Sequence, residues 1–123
     1  MKPKILIVDD SQFTRLLIRK CIEKNMNAEI KEANDGHEAL KVFKDFEPHI
    51  VFMDINMPKM DGITALKKIR SFNKDAIIVM VTALEQQSIT RDLKSLPNVA
   101  FIAKPFDCNA LLNMLTSYIK RLV

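Results

Sequence analysis

The sequence predicts a three-layer α/β sandwich built on a parallel sheet, and three observations carry that reading. Short apolar, partly β-branched runs recur along the chain: Ile5-Leu6-Ile7-Val8, Ile50-Val51-Phe52-Met53, Ala76 to Val81, and Val99-Ala100-Phe101-Ile102-Ala103. Such runs suit strands buried on both faces of a parallel sheet. Helix-period patterns lie between them, and alternating strand and helix implies right-handed crossovers between parallel strands. Chemically distinctive residues follow the runs, namely Asp9-Asp10, Asp54, Thr82 and Lys104. A parallel sheet gathers its carboxyl ends at one edge, so these groups are expected to meet there.

The elements follow in order. Ile5 to Val8 is the first strand. Ser11 caps the next helix, in which Phe13, Leu17 and Cys21 recur at the four-residue spacing of an apolar face. Ala28 to Ala33 is polar at several positions and suits an edge strand. Asp35-Gly36 opens a second helix, with Ala39, Leu40 and Phe43 facing inward. Pro48 precedes the third strand, Ile50 to Met53. The turn-rich loop Asn56-Met57-Pro58-Lys59-Met60-Asp61-Gly62 leads into a helix buried through Ile63, Leu66 and Ile69. Ala76 to Val81 is unbroken apolar sequence, hence a central strand. A fourth helix is expected from about Glu85 to Lys94, with Ile89 and Leu93 as its stripe. Val99 to Ala103 is the fifth strand. Asp107 starts a final helix with Leu111, Leu115 and Ile119 in register. No linker or low-complexity tract intervenes, so residues 1–123 read as one domain.

Bulk properties exclude several classes. No apolar stretch reaches bilayer length. Met1-Lys2-Pro3-Lys4 runs into a short apolar stretch, too short for a signal peptide. Cys21 and Cys108 form no CxxC. Sparse cysteine predicts free thiols and a reducing compartment, the cytoplasm. Cys108 would open the last helix, where a thiol can acidify, although a quiet free thiol is the plainer expectation. The net charge is +4. Arg15, Arg19, Lys20 and Lys24 share one helix, and Lys67, Lys68 and Arg70 another. Without interleaved aromatics these read as solvated helix faces, not a nucleic-acid patch. His37 and His49 are too far apart in sequence to suggest a metal pair.

Two adjacent carboxylates facing a third repel one another in a low dielectric. A divalent cation resolves this, and all-oxygen ligands favour Mg²⁺, which keeps several waters. The carbonyl of Asn56 is a further candidate oxygen. A carboxylate beside Mg²⁺ and a fixed ammonium can attack phosphorus and form an aspartyl-phosphate. Phosphoryl transfer then needs mainly positioning and neutralised oxygens, which Mg²⁺, Lys104, Thr82 and nearby backbone amides would supply.

These residues resemble the receiver domain of two-component response regulators, especially the stand-alone chemotaxis type. The matching segments are Ile7-Val8-Asp9-Asp10-Ser11, Met53-Asp54-Ile55-Asn56-Met57-Pro58-Lys59-Met60-Asp61-Gly62, Val81-Thr82-Ala83 and Lys104-Pro105-Phe106. The resemblance runs from Lys4 to about Leu122. It implies a flavodoxin-like (βα)5 sandwich with strand order 2-1-3-4-5, which the polar second strand fits independently. It also implies that Asp54 is the phosphoacceptor, that Asp10 meets Mg²⁺ directly and Asp9 through water, and that the Asn56 carbonyl completes the protein ligands. Thr82 would bond the phosphoryl group, Lys104 would pair with it, and Phe101 would be the aromatic that turns inward on activation. Lys104-Pro105 matches the family's cis peptide.

The implied protein is a phosphorylated switch and not an enzyme, although it promotes its own phosphorylation and dephosphorylation. Its phosphodonor would be a sensor histidine kinase. Its target would bind the face made by the fourth helix, fifth strand and last helix. No membrane or direct nucleic-acid partner is implied, and a monomer is expected, with a phosphorylation-dependent dimer as a variant. Departures from the family pattern are Leu96-Pro97-Asn98, where many receivers have Gly-Ala, and Leu84, which offers no polar group to an attacking water. Among alternatives, a haloacid-dehalogenase-like phosphatase would place its two carboxylates two residues apart after strand one, whereas Asp9 and Asp10 are adjacent. A flavodoxin-like cofactor binder would need a phosphate loop, which Ser11-Gln12-Phe13 is not. A receiver cut from a DNA-binding transcriptional regulator fits the sequence as well as a complete single-domain protein does.

Overall fold

The computed structural model describes residues 2–57, 59–83, 93 and 96–122, with the side chain of Leu122 excepted. The elements are β1 (Lys4–Val8), α1 (Gln12–Asn25), β2 (Glu29–Ala33), α2 (Gly36–Phe46), β3 (Ile50–Asp54), α3 (Gly62–Phe72), β4 (Ile77–Ala83), β5 (Val99–Lys104) and α4 (Cys108–Leu122). The expected helix from Glu85 to Lys94, and Leu84 before it, lie outside the described residues apart from Leu93, which is buried.

All five strands pair in parallel, in the order β2-β1-β3-β4-β5. β3 is buried at every position, as the apolar run Ile50 to Met53 requires, and the burial extends to Asp54 at its end. β2 holds the edge, and its residues alternate exposed and half-buried from Glu29 to Glu32 before the buried Ala33. Side chains of alternate strand residues leave the sheet on opposite faces. One face carries Leu6, Val8, Val51, Met53, Ile78 and Met80 against α2 and α3. The other carries Ile5, Ile7, Ile50, Phe52, Val79 and Ile102 against α1 and α4. Each described helix start is capped by a side chain, at Ser11, Asp35 and Asp107 as the sequence indicated and at Asp61 besides. Ser11 Oγ accepts from the Thr14 amide (3.2 Å), Asp35 Oδ1 from Glu38 (2.8 Å), Asp61 Oδ1 from Thr64 (2.8 Å) and Asp107 Oδ1 from Ala110 (2.8 Å).

Three expectations are corrected. First, α1 does not turn Phe13, Leu17 and Cys21 to the sheet. Its buried residues are Ile18 and Ile22, while Phe13 and Leu17 are 68% and 53% exposed. The helix carries two apolar stripes one residue apart, about 100° in rotation. A polar clamp selects between them. Arg15 Nε and Arg19 Nε hold the two carboxylate oxygens of Glu32 on β2 at 2.9 and 2.7 Å. Burial raises the Glu32 pKa, but hydrogen bonds and charge from Arg19 and Arg15 outweigh it, so the net shift is downward.

Second, the basic residues are not all on solvated faces. Besides Arg15 and Arg19, Arg70 is buried, and its guanidinium donates to the carbonyls of Asn73 (3.0 Å), Ala76 (2.6 Å) and Asn98 (3.0 Å). Asn98 takes a left-handed φ of 58°, which Asn tolerates better than most residues. Arg70→Met should keep the apolar stem but strip those carbonyls of a charged donor. Chemical denaturation is expected to show a loss of about 2–3 kcal/mol.

Third, Cys21 and Cys108 are not free. They are joined in a disulfide with Cα atoms 5.8 Å apart, although 87 residues separate them. Spacing in the sequence hid this, because only the topology sets α1 and α4 side by side on one sheet face.

Candidate active site

The strands run slightly further than the apolar runs, so the chemical groups stand on the ladder itself. β3 ends on Asp54 and β5 on Lys104, while Thr82 lies inside β4. Asp9 directly follows β1, with its amide bonded to the Ala33 carbonyl at 3.2 Å. Parallel register therefore brings together residues up to 95 positions apart, counted from Asp9 to Lys104.

Asp9, Asp10 and Asp54 each place a carboxylate oxygen within 4.8 Å of the others. Asp9 and Asp54 are buried, at 3% and 7% exposure, whereas Asp10 is open to solvent. Lys104 Nζ lies 3.5 Å from Asp9 Oδ2 and 3.5 Å from Asp54 Oδ1. The Ser11 amide, at the start of α1, donates to Asp9 Oδ1 at 2.8 Å. The Asn56 amide donates to Asp54 Oδ1 at 3.4 Å. Thr82 is buried one position beyond Val81, the register partner of Asp54. Its hydroxyl donates to the Ala83 carbonyl at 2.8 Å. Phe101 is half-buried, pairs in register with Met80 and packs on the cluster that includes Leu93. The Lys104–Pro105 peptide is cis.

One contributor was not read from the sequence. A Cβ at Gly62 would collide with the carbonyl oxygen of Asp54, and the Gly62 amide donates to the Ile55 carbonyl at 2.9 Å. The first turn of α3 is thus pressed against the strand end that carries Asp54. The Asp61-Gly62 pair after a turn-rich loop was the available signal.

The electrostatics favour a cation. Burial, and then the charge of Asp9, raise the Asp54 pKa; Lys104 and the Asn56 amide pull it down without cancelling the rise. Three carboxylates face one ammonium, and every donor atom is oxygen. That set fits Mg²⁺, which takes one or two carboxylates directly and retains water. Without a cation the site costs stability. The folded Asp54 carboxyl holds its proton more tightly than the unfolded one, so the native state binds the extra proton. The cost is full above the raised folded pKa and vanishes as pH falls through the ordinary carboxylate range. Asp54→Asn should therefore melt higher than the parent in EDTA at neutral pH, with the difference closing towards acid. Thermal unfolding at several pH values checks this.

Comparison with known proteins agrees with this geometry. A family model described as the response regulator receiver domain matches residues 5–116. The chain is 42% identical over 112 residues to Chemotaxis protein CheY of Bacillus subtilis, covering 91% of this chain and 93% of that protein. It is 35% identical over 120 residues to Chemotaxis protein CheY of Thermotoga maritima, covering 98% and 100%. Among solved structures, the chemotaxis response regulator CheY4 of Vibrio cholerae matches with a TM-score of 0.86 at 28% identity, covering 96% of this chain and 99% of that one. With a matching family model over most of its length, a five-stranded sheet in the order β2-β1-β3-β4-β5 and an acidic cluster at its carboxyl edge, this chain belongs to the response regulator receiver domain family.

Proposed function

We propose that this chain is a phosphorylation-activated signalling switch, with Asp54 as the acceptor. The observation that supports it most is Lys104 Nζ held 3.5 Å from both Asp9 and Asp54. An ammonium there balances the carboxylates while leaving one of them available. Both described contacts of Asp54 fall on Oδ1, so Oδ2 is the oxygen assigned to attack. Oδ2 bonds to the phosphorus of a histidine kinase's phosphohistidine. The phosphorus–nitrogen bond breaks, and the imidazole nitrogen leaves with the electron pair and takes a proton. Asp9, Asp10, Asp54 and the Asn56 carbonyl would hold Mg²⁺, which would neutralise charge on the phosphoryl oxygens. Lys104 pairs with the new dianion.

Thr82 acts as the reader. Its hydroxyl, on the Ala83 carbonyl here, exchanges that acceptor for a phosphoryl oxygen. β4 shifts with it, and Phe101, across the ladder on β5, repacks. The β5 and α4 surface then changes for a downstream protein. The whole of residues 1–123 acts as this one receiver domain, in the cytoplasm where kinase and target meet. The identity to chemotaxis proteins supports a motility target.

Acetyl phosphate with Mg²⁺ should add one phosphoryl group, read as one adduct in the intact mass and absent without the metal. Thr82→Ala should still form the adduct but lose partner binding. Loss of the adduct in Thr82→Ala would make Thr82 part of the bond-making machinery and refute its assignment as reader.

A further inference from the structure

We infer that Cys21 and Cys108 form a reversible redox clamp that governs how firmly Lys104 is held at the acidic site. Both ends of the disulfide sit on helices whose starts adjoin that site. Cys21 lies on α1, whose start donates the Ser11 amide to Asp9 at 2.8 Å. Cys108 is the first residue of α4, four positions after Lys104. The two helices share a buried apolar cluster, but they leave a groove beside the bond. An apolar groove of about 630 Å³ opens there, lined by Leu17, Ile18, Phe106 and Leu111 as well as both cysteines and Lys104. A covalent tie across a groove restrains what packing leaves loose.

The bond is accessible. Cys108 is exposed and Cys21 half-buried. Cys108 is the more exposed of the two, so it meets a soluble oxidant first. A low-molecular-weight disulfide such as oxidised glutathione is the oxidant. The Cys108 thiolate attacks one of its sulfurs, forming a mixed disulfide and releasing one thiolate. The Cys21 thiolate then attacks the Cys108 sulfur and releases the second. Two protein thiols lose two protons and two electrons, and one small disulfide becomes two thiols. Thioredoxin-type dithiols reverse the reaction. In a reducing compartment, surface disulfides of this kind are transient and sensing rather than structural.

The functional consequence rests on the phosphoacceptor reading, but the clamp itself does not. The test takes the full chain, fully reduced or oxidised with oxidised glutathione, beside Cys21→Ser and Cys108→Ser. Peptide mapping should find Cys21 linked to Cys108 in the oxidised parent only. Amide hydrogen exchange over residues 104–112 should be severalfold slower in the oxidised parent than in the reduced one, and equal in both states of each Ser variant. The oxidised parent should also form the acetyl phosphate adduct severalfold faster, because Lys104 is pre-positioned. A stable glutathione adduct without the internal bond, or equal exchange in the two parent states, overturns the clamp. Equal adduct rates with slowed exchange overturn its control of the site. Absence of an adduct in every form refutes the phosphoacceptor reading instead, and the exchange data still decide the clamp.

Discussion

Asp54→Asn should abolish the phosphoryl adduct completely while leaving the fold intact. The substitution keeps the shape of the side chain and removes the nucleophilic charge. Amide nitrogen and carbonyl oxygen cannot form the acyl phosphate, whereas every positioning group remains. The neighbouring carboxylates are placed differently: Asp9 Oδ1 is held by the Ser11 amide, Asp9 Oδ2 faces Lys104, and Asp10 is exposed on the loop beyond β1. Intact-mass spectrometry on parent and variant, with acetyl phosphate and Mg²⁺, reads the result. An undiminished adduct in the variant would move the acceptor to another residue. Because the variant also relieves charge crowding, it should combine zero phosphorylation with higher apo stability. An ordinary damaging mutation does not show that pair of effects.

Gly62→Ala is expected to have the largest effect on stability for its size. The added methyl would strike the Asp54 carbonyl oxygen, and sit 3.0 Å from both the Asp54 carbonyl carbon and the Ile55 Cα. These are backbone atoms of buried residues at and just past the end of β3, so they cannot rotate away as a flexible side chain can. Overpacking of this kind costs about 2–3 kcal/mol, which in a domain of this size is a melting-temperature drop of roughly 10 °C. Gly36→Ala provides the control. Its methyl would meet Met60 Cβ and carbonyl oxygen at 2.7 Å, and no β3 atom is among its three nearest contacts. Both variants should be destabilised, but only Gly62→Ala should also slow adduct formation, since it displaces the strand end carrying Asp54. Thermal melts and adduct kinetics together separate the two effects. Equal adduct rates in both would show that α3 does not position the acceptor.

The sheet was legible because both of its signals are local. Runs such as Ile50 to Met53 are buried on both faces, and β2 advertises its edge position through Glu29, Lys31 and Glu32. The acidic edge was legible because parallel order converts strand ends into neighbours, whatever their distance in sequence. The failures share one cause, which is that they depend on how elements sit against each other. The rotation of α1 is decided by Arg15 and Arg19 reaching Glu32 on another element, and the sequence offers two equally good apolar stripes. Arg70 looks like one more surface cation until the loops around Asn73 and Asn98 close over it. The Cys21–Cys108 pairing follows from α1 and α4 sharing a sheet face, which no spacing rule contains. Gly62 was visible as a turn residue, but the carbonyl it accommodates belongs to a strand eight positions earlier.

The central claim is that charge arriving at Asp54 is transmitted to the β4–β5 edge through Thr82 and Phe101. Backbone NMR of the parent with Mg²⁺, before and after adding beryllofluoride as a phosphoryl mimic, tests it most directly. Large shifts are expected at Asp54 and Lys104, and also along Thr82, Ala83 and Phe101 into α4, with the distant set lost in Thr82→Ala. Shifts confined to the residues around Asp54, or a distant set unchanged by Thr82→Ala, would contradict the account.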